Sequence, residues 1–242
     1  MRKLISVLAV LGLLAASLSL GGVNTVDSTI ASGTSQVMAP TYTIGDFWVT
    51  EVSMGKEKYT TRISVVGQEV LDGTYCWVLD MENPTLGTSI PQKAWVPKSD
   101  PIFSLVKMET SGTEADPFTM VKEVSLDFPD GPPWPLEVGK KFTVVTSMRQ
   151  VTVMENTRNE TTATSRDTYE VKKRERVKVP AGRFNCLKIV VFNDKGESYR
   201  TIWYSEEVKY AVKDIITGKA MSAQGRPTTV RVIERKLKEY SS

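Results

Sequence analysis

From residue 47 onward, apolar and polar residues alternate with a period of two in segment after segment. In KYTTRISV (58–65), Tyr59, Thr61, Ile63 and Val65 point one way and Lys58, Thr60, Arg62 and Ser64 the other. That spacing, carried by threonine and β-branched residues, fits a strand in a sheet wetted on one face. FWVTEVSM (47–54) precedes it across Gly55-Lys56-Glu57, a connection short enough for a hairpin. TYCWVLDME (74–82) follows the turn pair Asp72-Gly73. The same vocabulary returns in KFTVVTSMRQVTVM (141–154), TYEVKKRERVKV (168–179), FNCLKIVVF (184–192), YRTIWY (199–204) and TTVRVIERKL (228–237). No amphipathic helix longer than about three turns is predicted, though short helical pieces are allowed near 99–107 and 205–213.

DFPDGPPWPLEVGKK (127–141) is the clearest punctuation. Its prolines exclude a continuous central strand and mark either a domain boundary or a long connection between two halves of one sheet. Landmarks recur in order on either side of it. Gly45, Cys76, Trp95 and Lys107 before it are matched by Gly139, Cys186, Trp203 and Lys213 after it. The expectation is an all-β domain over 41–242, built from two related halves, 41–110 and 136–216, joined by 111–135.

The other end of the chain has a different pattern. Arg2 and Lys3 precede LISVLAVLGLLAASLSLGG, a short basic region followed by an apolar run ending in small residues, which reads as a secretory signal peptide over 1–22. An uncleaved membrane anchor is the alternative, because the run is nearly of spanning length. No cysteine stands at its end to carry a lipid. Residues 23–40 are small and polar and read as a linker. The formal charge is +3, and removing Arg2 and Lys3 leaves about +1, so the exported protein is nearly neutral. An extracytoplasmic location follows, either secreted or associated with the cell envelope.

Location colours the reading of the two cysteines. In an oxidising space, one Cys76–Cys186 disulfide is favoured over two buried free thiols. If the two halves pack about an approximate twofold axis, both cysteines occupy equivalent positions. The bond would then contribute about 2 to 4 kcal/mol.

Chemistry is narrowed mostly by absences. The chain has no histidine, which removes Ser-His-acid and Cys-His catalysis and histidine-ligated metal centres. No glycine-rich phosphate loop or dense acidic calcium loop occurs, so neither metal nor cofactor is expected. Paired carboxylates remain available for a hydrolase from Glu51, Glu69, Asp80, Glu82 and Glu170, but no spacing selects two of them. KKRERVK (172–178) reads as a solvated edge strand rather than a polyanion site, and no nucleic-acid partner is expected. Five tryptophans are many for this length. They either fill the core or line a concavity for a hydrophobic molecule.

The segments VPAGRFNCLKIVV and TIWYSEEVKYAVK resemble exported bacterial β-proteins of domain-of-unknown-function families related to the lipoprotein-carrier superfamily. The resemblance rests on Val179-Pro180-Ala181-Gly182-Arg183-Phe184-Asn185-Cys186 and on Trp203-Tyr204-Ser205-Glu206-Glu207-Val208. It implies a strongly curved antiparallel sheet, an unclosed barrel able to shelter acyl chains, and it supplies no catalytic residues. This chain lacks an evident helix to plug the barrel mouth. Together these readings give a non-enzymatic module that takes up a hydrophobic or lipid-like molecule, or engages an envelope protein, with Trp77, Trp95 and Trp203 lining an apolar concavity. The rivals are an interaction module with a filled core and the carboxylate hydrolase.

Overall fold

The computed structural model describes residues 36–82, 91–113, 116–154, 157–221 and 227–242, so the signal-peptide segment and most of the 23–40 linker lie outside the described residues. Within them the chain forms β1 (Phe47–Met54), β2 (Glu57–Leu71), β3 (Thr74–Glu82), β4 (Gln92–Pro97), β5 (Lys107–Thr113), β6 (Asp116–Asp127), β7 (Lys141–Met154), β8 (Thr157–Val179), β9 (Gly182–Phe192), β10 (Ser198–Ser205), β11 (Tyr210–Met221) and β12 (Pro227–Ser241). β1, β3 and β7 have the predicted limits. β8 starts well before the alternating stretch because TRNETTATSRD is polar on both faces and offers no period to read. β6 is not marked by alternation for a related reason: Lys122 interrupts the apolar series Phe118, Met120, Val124 and Leu126. The segments allowed as helical are turns and strand ends, the turns closed by Asp100 N–H to the Pro97 carbonyl and Lys209 N–H to the Glu206 carbonyl, each 3.2 Å.

Every strand pairs antiparallel with its neighbour in sequence, and β12 pairs back with β1. The result is a closed up-and-down barrel with no open sheet edge around its ring. This corrects the expectation of an unclosed curved sheet: Phe47–Met54 is bonded on one side to β2 and on the other to β12. The wall is one continuous meander with no seam dividing it into halves, and β6 occupies the middle of the stretch expected to be a connection. What recurs is local. Gly45 N–H donates to the Val65 carbonyl and Val65 N–H to that of Asp46, while Gly139 and Val171 repeat this with the carbonyls of Val171 and Lys140.

One end of the barrel is capped. It carries residues 36–46, the connections 98–106 and 128–140, the turn 206–209, and the tips of the β2–β3 and β8–β9 hairpins. β8 beyond Glu170 and β2 beyond Val65 extend past the strand before them as arms, paired only with the following strand. Each arm begins at a bulge, Val65/Gly67 or Val171/Lys173, where the extra residue bends the strand. The KKRERVK stretch lies in the second arm. Its Pro180-Ala181-Gly182 corner folds over the barrel end, and Ala181 N–H donates to the Leu237 carbonyl at 3.1 Å.

Inside the capped end the core is full. Trp48, Val65, Leu79, Met120, Leu237 and their neighbours form one buried cluster. Phe142, Val144, Val171, Leu187, Ile189 and Tyr204 belong to a second. Each such side chain contributes about 1.5–3 kcal/mol on burial. Trp48 Nε1 is satisfied by the Val208 carbonyl at 2.7 Å. Val37, near the end of the expected linker, exchanges two backbone bonds with Leu136, 2.8 and 2.7 Å. The proline-rich connection is pinned by Trp134 Nε1, which donates to Asp100 Oδ1 at 2.8 Å.

Candidate functional site

Strand pairing determines which side chains face inward. One row runs Ile189, Ile202, Asp214, Arg235, Val52 and Tyr59 across β9, β10, β11, β12, β1 and β2. The next runs Tyr169, Val191, Arg200, Ile216, Ile233 and Met54. On the other wall Val65, Leu79, Ala94, Met108, Lys122 and Gln150 make a third row.

Burial fades along this inward face. On β7, Phe142 and Val144 are buried, Thr146, Met148, Gln150 and Thr152 are half-buried, and Met154 is exposed. On β8, Val171 and Tyr169 are buried, Asp167, Ser165 and Ala163 half-buried, and Thr161 exposed. Ile63, Met81, Phe118 and Ile216 are also only half-buried. Solvent therefore reaches the barrel interior from the end opposite the cap, where the wall mixes apolar and polar groups above an apolar floor.

Charges stand in that wall. Asp214 accepts Arg200 Nε on Oδ1 and Arg200 Nη2 on Oδ2, both at 3.0 Å, and Arg235 Nη1 on Oδ2 at 2.7 Å. Burial works to raise the Asp214 pKa, but the two guanidiniums together hold it below the usual carboxylate range. Arg200 remains cationic for the reciprocal reason: Asp214 more than offsets the burial that opposes its charge. The Tyr59 phenol is raised by burial while the nearby Arg235 charge pulls it down. Asp167 is raised by burial against hydrogen bonds from Tyr199 and Ser165 and the charge of Arg200. On the facing strands, Lys122 is buried and its pKa is lowered by that burial. The buried Thr110 hydroxyl has no partner among the described residues.

The three tryptophans do not share a surface. Trp77 faces inward with Leu79, beneath Lys98, whose Nζ lies 4.2 Å from its ring centroid. Trp95 is on the opposite face of the wall with Cys76 and Val78, and its Nε1 donates to Glu69 Oε2 at 2.7 Å. Trp203 is also outward, half-buried, bonded to Glu175 and flanked by Lys213 and Lys188. Burial opposes the Glu175 charge, but Lys173 and Trp203 hold its pKa below the usual range. Each outward indole is thus packed under its own carboxylate and lysine. Adjacent positions on one strand put Trp77 and Cys76 on opposite faces, which is readable from sequence; the charged row is not.

The expected disulfide is absent: Cys76 and Cys186 are buried free thiols. They do occupy similar places, Cys76 opposite Glu69 and Cys186 opposite Glu175. β3 and β9 are six strands apart whichever way the ring is followed. At about 4.8 Å per strand that is nearly 30 Å along the wall. Equivalence of position therefore keeps the sulfurs apart.

All five candidate carboxylates face outward. Glu69 serves Trp95, and Glu170 pairs with Lys172 and Lys141. Among the described residues no group of His, Cys, Asp or Glu is arranged to hold a metal ion. Two open recesses lie on the surface among the described residues. One of about 360 Å³ is lined by Lys141, Arg166, Glu170 and Phe192, and one of about 280 Å³ by Arg174, Asn185, Tyr204 and Glu206.

No family model matches the chain, and no curated protein matches it. Among solved structures it is similar to a candidate exported protein with a YmcC-like fold from Bacteroides fragilis NCTC 9343, at 12% identity and a TM-score of 0.42, covering 86% of this chain and 100% of that one. It is also similar to a candidate lipoprotein from Parabacteroides distasonis ATCC 8503, at 13% identity and a TM-score of 0.40, covering 85% of this chain and 99% of that one.

Proposed function

We propose that this protein is a non-enzymatic binding module of the cell envelope that takes up a hydrophobic or lipid-like molecule in the solvent-reached part of its barrel. The observation that carries the reading is the loss of burial along the inward face, where Ile63, Met81, Phe118, Met148 and Ile216 remain half-buried beyond a filled, capped floor. Apolar side chains that water reaches inside a barrel gain from a ligand that covers them, by about 25 cal/mol per Å² removed from water. Export rests on the basic and apolar N-terminal pattern.

The test is a titration of the purified chain with N-phenyl-1-naphthylamine, a neutral apolar dye that brightens on leaving water, alongside native mass spectrometry without detergent. Saturable binding displaced by long-chain alcohols is expected. A flat titration with no co-purifying mass would favour an interaction module. Val70 and Tyr75, a cross-strand pair exposed by 56% and 68% at the β2–β3 tip, would then be its most prominent contact surface.

A further inference from the structure

We infer that the molecule taken up is a single-chain amphiphile with a carboxylate head group, and that Arg235 holds the head. This rests on the binding reading above and adds the chemistry of the ligand. Asp214 is only 4% exposed, and its two oxygens meet two guanidiniums. One carboxylate facing two permanent cations leaves the trio with one positive charge in excess.

The excess resides on Arg235. Arg200 is committed to Asp214 in a two-point fork through Nε and Nη2. Arg235 gives Asp214 a single contact, from Nη1; its guanidinium makes no second hydrogen bond among the described residues, and its charge also acts on the phenols of Tyr59 and Tyr210. Its side chain is 38% exposed, so solutes in the barrel interior reach it. Asp167, the other carboxylate on this wall, is held by Ser165 and Tyr199 and interacts with Arg200, so the counter-charge it brings falls on Arg200 and leaves Arg235 sharing Asp214 alone.

The surroundings of Arg235 define the remainder of the ligand. Val52 and Tyr59 continue its row, and Ile216, Ile233 and Met54 lie on the neighbouring row. A cation with coplanar N–H donors that no described residue accepts, emerging from a wall of this composition, matches an anion attached to an apolar body. The planar guanidinium accepts a carboxylate at two points. Asp214 positions it by holding the Nη1 side.

The experiment compares 11-(dansylamino)undecanoic acid with its methyl ester, on the full chain and on Arg235→Gln, Arg235→Lys and Arg149→Gln. Arg149 stands on the outward face between Glu123 and Glu160 and serves as the charge control. Wild type and R149Q should bind the acid at least tenfold more tightly than the ester. R235Q should bring the acid to the affinity of the ester without changing the ester, and R235K should keep part of the preference. R235Q leaves the Arg200–Asp214 fork in place, and a cooperative melt verifies its fold. Equal binding of acid and ester to wild type, or an undiminished preference in R235Q, overturns the assignment. So does competition by dodecyl phosphate that matches dodecanoate. Ester binding without acid preference sinks this inference alone; failure of both probes to bind removes the binding reading as well.

Discussion

Cys186 shows how burial governs chemistry at a single residue. Its thiol is enclosed with Phe184 and Val208 and donates to the Phe184 carbonyl, 3.7 Å away. Burial pushes its pKa up to about 12, and Glu175 and Glu207 add to the shift. Cys76 is raised as well, by burial first and Glu69 second. A thiol reacts through its thiolate, so both sites are expected to react slowly at neutral pH. Native protein at pH 8 should therefore take up no iodoacetamide within an hour and two equivalents in guanidinium chloride. An intact mass 2 Da below the reduced value would restore the disulfide. Compartment and composition pointed to a Cys76–Cys186 disulfide, which the fold does not form. What they could not reveal was separation, since like positions on a ring are kept apart by the ring itself.

Among the elements, the β8–β9 arm depends on its corner. Gly182 has φ 142°, a region closed to other L residues, and this lets β9 turn back while Ala181 donates to Leu237. Gly182→Ala should cost about 1–3 kcal/mol in backbone strain. A melt followed by circular dichroism should then fall by roughly 2–4 °C per kcal/mol. Gly67→Ala is the control: its φ is ordinary and no atom lies within 4 Å of the added carbon. It should melt at or slightly above wild type. The Pro-Ala-Gly corner was readable as a turn from its residues. That it seals the barrel was not, because the partner, Leu237, stands more than fifty positions further along. Closure of the wall by β1 and β12 was hidden for the same reason.

At the scale of the whole molecule, buried charge links stability to pH. The Asp214 pKa is depressed in the folded state, so its contribution is present above the unfolded value, near pH 3.9, and is lost as pH falls through the lower folded value. Asp100 and Asp167 act in the opposite sense: burial raises their pKa, so the fold gains as they are protonated on the way down to about pH 3.9. Asp214→Asn should destabilise the barrel at pH 7 by about 2–3 kcal/mol, less than for a fully buried pair because Arg235 is partly solvated. In urea melts the gap between D214N and wild type should close below about pH 4. A gap that persists unchanged at pH 2 would show that the carboxylate charge is not its source.

Period-two alternation, turn residues and the missing histidine determined strands, corners and the exclusion of imidazole chemistry, because each is a property of neighbours in the chain. Pairing between β1 and β12, the separation of the sulfurs and the meeting of Arg200, Asp214 and Arg235 were decided by tertiary structure alone. Those features join residues from strands distant in sequence, and a charge among alternating residues reveals its partner only when the wall has closed around it.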